Sequence, residues 1–249
     1  DVLIHTGHVP RNALQDKVVV ITGAGGGIGY EAARSFACLG AQVILAEINT
    51  KLGKQAENRI NQEIGKRVCR FIRTDVGDEG SVARLALRIL STYGKADIVI
   101  NNATIAPVGQ VVDVNIRRWD ASYRVNLRGP VLMARYIIPA MIKRNDGVFV
   151  CIASVGEKYM GPYESLKAAQ IHLAHTLGAE LEGTNVITFT IGPGLILTET
   201  AKKQIAVLAR MYEKTVEEFY EMGKAQMVSV EAAGAAYAAA SIYAERFRG

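Results

Sequence analysis

Thr22–Gly29 reads TGAGGGIG, with five glycines in eight residues. No other stretch restricts the fold of this chain as much. It directly follows the continuous apolar run Lys17–Thr22 (KVVVIT) and leads into a helical pattern. Glycines between a strand and a helix allow a tight turn with positive φ and a close approach to the backbone. The helix opening there presents unpaired N–H groups and a positive partial charge, which suits an anion such as a pyrophosphate. A continuous apolar strand entering a helix through such a turn belongs in a parallel sheet covered on both faces.

The rest of the chain repeats this alternation. Gln42–Glu47 (QVILAE), Arg67–Arg73, Asp97–Asn101 (DIVIN), Gly147–Ile152 (GVFVCI) and Asn185–Ile191 read as five further strands. Helices are predicted over about 28–39 (ended by Gly40), 50–64, 79–92 (between Asp78 as cap and Gly94), 117–143, 162–181 and 230–246. Six strands joined by helical crossovers predict an α/β fold, a Rossmann-type doubly wound parallel sheet in a single domain. Residues 1–14 read as an N-terminal extension and 15–249 as the dinucleotide-binding catalytic domain. The helical stretch 199–224 carries Met211, Tyr212, Phe219, Tyr220 and Met222. Following the last strand, it suits a lid over a binding cleft, or an ordinary pair of surface helices.

Composition narrows the function. The net charge is +5 and the 29 basic residues are dispersed, which argues against a nucleic-acid partner. No run approaches the ~18 apolar residues of a spanning helix, and the first residues lack a signal-peptide hydrophobic region. Cys38, Cys69 and Cys151 are odd in number and widely spaced. Reduced thiols in a cytoplasmic protein follow from that. His172 and His175 sit three apart without a third ligand, so no metal is expected.

Glu47 ends the second strand, eighteen residues beyond Gly29. A carboxylate there accepts hydrogen bonds from adenosine ribose hydroxyls and repels a 2′-phosphate. No Arg or Lys lies in the glycine loop to compensate. NAD is therefore the expected cofactor, ahead of NADP.

The spacing of the turn, T-G-x-x-x-G-x-G, resembles that of the classical short-chain dehydrogenase/reductase family. The resemblance runs from about Lys17 to Thr198 through motifs in order: Asp75-Val76, Asn101-Asn102-Ala103, Asn126 in a V-N setting, Ser154, Tyr163 and Lys167 as Y-x-x-x-K, and Pro193-Gly194 with Thr198 as P-G-x-x-x-T. It implies a cofactor site formed by Gly23, Gly27, Ile28, Gly29, Glu47, Asp75, Val76, Asn102, Ala103, Tyr163, Lys167, Pro193, Gly194, Ile196 and Thr198. It implies a catalytic set of Asn126, Ser154, Tyr163 and Lys167, and a homodimer or homotetramer formed through 117–143 and 162–182.

The chemistry fits these residue types. Hydride transfer between a carbinol carbon and nicotinamide needs a group that moves the hydroxyl proton. A phenol, with a pKa of about 10, needs a neighbouring positive charge to act as a base. Tyr163 and Lys167, four apart on one predicted helix face, supply the phenol and the charge. Lys167 is expected to lower the Tyr163 pKa and reach the nicotinamide ribose. By resemblance, Ser154 binds the substrate oxygen and Asn126 holds a relay water. A second Y-x-x-x-K, Tyr220 to Lys224, contains Gly223 and lacks a preceding strand-end Ser.

Three departures from the family pattern stand out. Thr104 replaces the glycine of N-N-A-G. The Ser154–Tyr163 interval is nine residues, a few shorter than usual, which brings Tyr159 and Met160 toward the substrate. Glu157 and Lys158 in that loop are substrate contacts or exposed charge. The last helix runs to Arg248 and Gly249 without the family's usual last strand. The expected activity is NAD(P)-dependent interconversion of a secondary alcohol and a ketone with Tyr163 as general acid/base. Ile105, Val108, Tyr159, Met160, Ile196, Met211 and Tyr212 suggest a hydrophobic substrate. The alternatives are an NADPH-dependent carbonyl or 3-oxoacyl-thioester reductase, and a nucleotide-binding scaffold or sensor with impaired turnover.

Overall fold

Val18–Thr22 (β1) is buried along its whole length, because its side chains enter two different cores. Val19 and Ile21 point to one face of the sheet and Val18 and Val20 to the other, as the two-residue period of a strand dictates. The computed structural model describes residues 9–154 and 158–248. Among these, Gln42–Glu47 (β2), Cys69–Arg73 (β3), Ile98–Asn101 (β4), Gly147–Ile152 (β5) and Val186–Ile191 (β6) complete a six-stranded sheet of order β3-β2-β1-β4-β5-β6. Every pairing is parallel. The chain is a single α/β domain of the Rossmann type.

Helices cover both faces. Gly27–Cys38 (α1) and Thr50–Ile64 (α2) pack on the face of Val19 and Ile21, together with the Ala-rich Val230–Ile242 (α9). Glu79–Tyr93 (α3), Gly129–Arg144 (α5) and Gly161–Glu180 (α6) cover the other face. Asp78 caps α3 by accepting from Ser81 N–H, and Gly94 ends it in the left-handed region, as the sequence predicts. Val9 and Leu14 are buried against the α1 side of the sheet. Cys69 and Cys151 are buried free thiols, whereas Cys38 is half-buried.

The predicted helix 117–143 is not one α-helix. Ile116–Ser122 (α4) passes into a π-helical segment, Tyr123–Arg128, before α5 begins. Pro130, in the first turn of α5, has no N–H to give the Asn126 carbonyl four residues earlier. The register slips there, and that carbonyl accepts a hydrogen bond from Gln170 Nε2 instead. The predicted helix 199–224 also divides, into Glu199–Met211 (α7) and Val216–Gly223 (α8). Thr215 and Glu218 form a reciprocal capping box that starts α8 afresh. The final predicted helix stops at Ile242, and a short 3₁₀ turn over Ala244–Phe247 follows. Phe247 stacks on Phe189 of β6, with ring centroids 5.1 Å apart. Gly249 lies outside the described residues, as do 1–8 of the predicted extension.

The sheet order places β1 beside β4. Helices leave the sheet in opposite directions at this junction, so a crevice opens outside the carboxyl ends of the two strands. The glycine turn after β1 lies at that edge.

Candidate active site

Steric limits define the glycine turn. A Cβ on Gly29 would lie 2.4 Å from the Gly23 carbonyl oxygen and 2.5 Å from Asn102 Nδ2. Gly23 has φ +65° and backs onto Ala103 Cα. Only glycines allow α1 to start this close to the end of β4. Thr22 fixes the contact, because its hydroxyl accepts from the N–H groups of Asn102 and Ala103. Asn102 Nδ2 donates to the carbonyls of Thr22 and Gly23. Gly26, the N-cap of α1, supplies no side-chain cap. Among the described residues, none beyond its two chain neighbours comes within 4 Å of the place where its Cβ would be. A helix start with open space before it and no cap of its own fits a dinucleotide pyrophosphate.

Glu47 sits across this turn. Its carboxylate accepts from Gly25 N–H at 3.1 Å and from Asn49 N–H at 2.8 Å. A fixed negative charge therefore stands at the end of β2, beside the turn. From the far side, the Thr198 methyl lies against Gly27, while the Thr198 hydroxyl caps α7. Ile196 is buried, and the adjoining Leu195 bridges to Met227. Gly194, after Pro193, turns in the left-handed region at φ +83°. Asp75 and Val76 are placed differently. The Asp75 carboxylate accepts from Gly77 N–H, and Val76 packs on Gly129 at the start of α5.

The second half of the site gathers where β5 meets α6. Ser154 follows β5, and Tyr163 and Lys167 share one face of α6. The Ser154 hydroxyl neighbours Tyr163 and acts to lower the pKa of its phenol. The Lys167 ammonium lies 5.6 Å from the Tyr163 ring centroid and donates to the Ile152 carbonyl. Burial pushes Lys167 down to about 8, against the opposing influence of Cys151 and Glu164. Burial also pushes the Tyr163 phenol up to about 12, and the Glu164 charge adds to the rise. The sequence leads one to expect the opposite shift for Tyr163. The reason is positional: the ammonium lies against the ring and is bonded to a carbonyl, while the phenol is half-covered by apolar side chains.

Those side chains come from α7, α8 and the residue that precedes α6. Met160, Ile205, Leu208, Ala209 and Phe219 form a separate apolar cluster, against which Val108, Tyr159, Tyr163, Tyr212 and Tyr220 pack. Tyr159 has a left-handed φ of +66°. Its carbonyl accepts from Gly109 N–H, and its ring meets Tyr212 edge-on. The Lys158 ammonium lies over both rings. Gln204 on α7 donates to the Ala106 carbonyl. Ile105, by contrast, is exposed. Glu157 lies outside the described residues. In the second Y-x-x-x-K, Lys224 is ion-paired with Glu221 on the surface, away from Lys167.

Asn126 lies in the π-helical segment and is fully buried. Its Oδ1 accepts from the Thr104 hydroxyl at 3.0 Å and from Ile105 N–H at 2.9 Å, and its Nδ2 donates to the Ile105 carbonyl. Thr104, the departure from the family's glycine, thus ties the end of β4 to this segment. Two neighbours escaped the sequence reading. Glu164 accepts the Ser154 hydroxyl proton at 2.9 Å, and Gln170 reaches the Asn126 carbonyl. Neither belongs to a motif; only their spacing of one and three residues from Tyr163 and Lys167 marks them.

Comparison with known proteins shows the family and the fold. The family profile for short chain dehydrogenases matches residues 17–208. An uncharacterized oxidoreductase of Thermotoga maritima is 36% identical over 195 residues, covering 77% of this chain and 75% of that protein. This chain belongs to the short-chain dehydrogenase/reductase family and is an oxidoreductase of that family. The fold matches an NAD+-bound xylitol dehydrogenase with a TM-score of 0.85 at 23% identity, over 92% of this chain and 93% of the other. It also matches an actinorhodin polyketide ketoreductase with NADPH, TM-score 0.84 at 23% identity, over 90% of each chain.

Proposed function

We propose that this protein interconverts a secondary alcohol and a ketone, with NAD as hydride carrier and Tyr163 as the general acid/base. The observation carrying this reading is the Ser154–Tyr163–Lys167 group beside the open glycine turn. A bound nicotinamide dinucleotide supplies or accepts the hydride. The residues of the chain do the rest. Gly23, Gly27, Ile28 and Gly29 leave room for the pyrophosphate, with Asp75, Val76, Asn102, Ala103, Pro193, Gly194, Ile196 and Thr198 around the remainder of the cofactor. Tyr163 gives its phenolic proton to the carbonyl oxygen in reduction and takes the alcohol proton in oxidation. Ser154 holds that oxygen. Lys167 holds the nicotinamide ribose and supports a phenolate by its charge. Asn126, fixed by Thr104, keeps α6 and the π-helical segment in register.

Glu47 supports NAD over NADP. A 2′-phosphate there would meet a carboxylate already held by two backbone donors, with no cation in the turn. The apolar cluster of α7 and α8 forms a lid and favours a hydrophobic alcohol or ketone, with Tyr159 and Met160 along its wall. The exposed Val131, Ile142 and Ile171 support a homodimer or homotetramer through α5 and α6.

The test has two arms. NADH and NADPH are titrated by fluorescence, and reporter alcohols and ketones are screened for turnover. Tighter NADH binding with oxidation of apolar secondary alcohols is expected. Tighter NADPH binding would overturn the cofactor assignment. Binding without any turnover would favour a sensor, the reading suggested by the lid cluster packed against Tyr163.

A further inference from the structure

The π-helical segment Tyr123–Arg128 serves two parts of the molecule at once. Asn126 turns to the end of β4 and to α6, where it meets Thr104, Ile105 and Gln170. Arg128 lies two residues further on, and residues two apart on a helical segment do not face the same way. Its guanidinium donates to the Gly77 carbonyl and lies 3.8 Å from the Glu79 carboxylate.

Gly77 belongs to the short connection 74–78 between β3 and α3. The connection's own hydrogen bonds are local. Gly77 N–H donates to the Asp75 carboxylate, and Asp75 N–H to the Ser81 hydroxyl. Toward residues 124–129 it is held by Arg128, by packing of Val76 on Gly129, and by a loose ion pair of Asp75 with Arg124 at 3.8 Å. A Cβ on Gly77 would lie 3.2 Å from Arg124 Cβ, so the backbone there rests directly on the π-helical segment.

Sheet order puts this connection at one end of the crevice. The glycine turn follows β1, Glu47 ends β2, and β3 comes next. Thr74 N–H donates to the Glu47 carbonyl, so residues 74–77 begin just beyond the acid assigned to the ribose. A nucleotide with its phosphates at the turn and its ribose at Glu47 presents its base to this connection.

We propose that Arg128 is a positioning residue for the adenine end of the dinucleotide: by holding the Gly77 carbonyl, it fixes the connection 75–77 that the base meets. This rests on the dinucleotide site proposed above. A charged donor holds a backbone carbonyl more firmly than a neutral one. Glu79, in the first turn of α3, keeps the guanidinium aimed. Tyr136 of α5 donates to the same carboxylate and braces it. The segment that holds Asn126 on the catalytic side thus also sets the wall for the base.

Arg128→Met keeps the aliphatic bulk and removes the donor. It should weaken ADP about tenfold, the loss expected of a charged hydrogen bond. Reduced nicotinamide mononucleotide should bind as it does to the parent. Calorimetric titration of both fragments reads this without turnover. In ketone reduction, KM for NADH should rise by the same factor with kcat unchanged. Arg128→Lys keeps a charged donor and should recover most of the ADP affinity. Glu79→Gln drops the charge beside Arg128 but keeps an acceptor for Tyr136, and should weaken ADP about two- to threefold.

Unchanged ADP affinity in folded Arg128→Met would overturn the proposal. Equal losses for both fragments would overturn it too, since they mark a general loosening of the site. Loss of the native fold in both Arg128→Met and Glu79→Gln, read by circular dichroism, would make the contact a structural support and count equally against it. A parent chain that binds neither ADP nor NADH would refute the dinucleotide reading and this inference with it. If the parent binds both and the variants match it, this inference alone fails. In a parent that binds NADH without turnover, the fragment titrations still decide the role of Arg128.

Discussion

Lys167→Met is predicted to make the protein more stable at neutral pH. Lys167 is 1% exposed, and burial pushes its ammonium down to about 8 from the ordinary 10.5. The native state therefore binds the Lys167 proton less tightly than the unfolded chain does. Such a group destabilises the fold fully below its folded pKa, and the penalty fades as pH rises toward the unfolded value. By linkage the penalty is about 3 kcal/mol at pH 7, and about 2 kcal/mol of it is relieved by pH 9.5. Methionine fills the methylene volume without a charge. It leaves the Ile152 carbonyl without the Lys167 donor, which costs about 1–2 kcal/mol. The net gain at pH 7 is then about 1–2 kcal/mol, and the stability difference between variant and parent should shrink by about 2 kcal/mol between pH 7 and 9.5. Urea denaturation of both proteins at several pH values measures it, and pH effects elsewhere in the chain cancel in the difference. A variant less stable than the parent at pH 7, with the same pH dependence, would refute the reasoning.

Two further predictions concern packing. Gly29→Ala should weaken dinucleotide binding by tenfold or more and lower the melting temperature, because its Cβ would meet the Gly23 carbonyl and the Asn102 amide; unchanged affinity by fluorescence titration would contradict the steric account. Tyr237→Phe should be neutral or stabilising by about 1 kcal/mol, since the Tyr237 hydroxyl is buried with no hydrogen-bond partner among the described residues; a clear loss of stability by thermal denaturation would show that this hydroxyl is satisfied.

The sheet was legible because its evidence is local. Each strand is a short apolar run, and each crossover has a helical period with recognisable caps. The placement of the glycine turn, Glu47, Ser154, Tyr163 and Lys167 at strand ends and on one helix was legible because the spacing between them is itself informative. What sequence did not reveal depends on contacts across the fold. Pro130 was visible, but the slip into a π-helical segment depends on Gln170 being there to take the Asn126 carbonyl. The break between α7 and α8 was spelled out as Thr215-x-x-Glu218 and needed only the capping-box pattern. Glu164 follows Tyr163 in sequence, yet its contact arises where α6 brings it against Ser154 at the end of β5. The pKa of Tyr163 failed as an expectation for the same reason. Sequence shows that a lysine is near, but not that the lysine lies against the ring while an apolar cluster packs on Tyr163.

The central claim is that Tyr163 transfers the substrate proton. Single-turnover reduction of a reporter ketone, followed by loss of NADH fluorescence in the parent chain and in Tyr163→Phe, tests it most directly. The account predicts NADH affinity within a few-fold of the parent and a rate lower by about a thousandfold, while Tyr220→Phe reacts at the parent rate. Hydride transfer by Tyr163→Phe at close to the parent rate would contradict it.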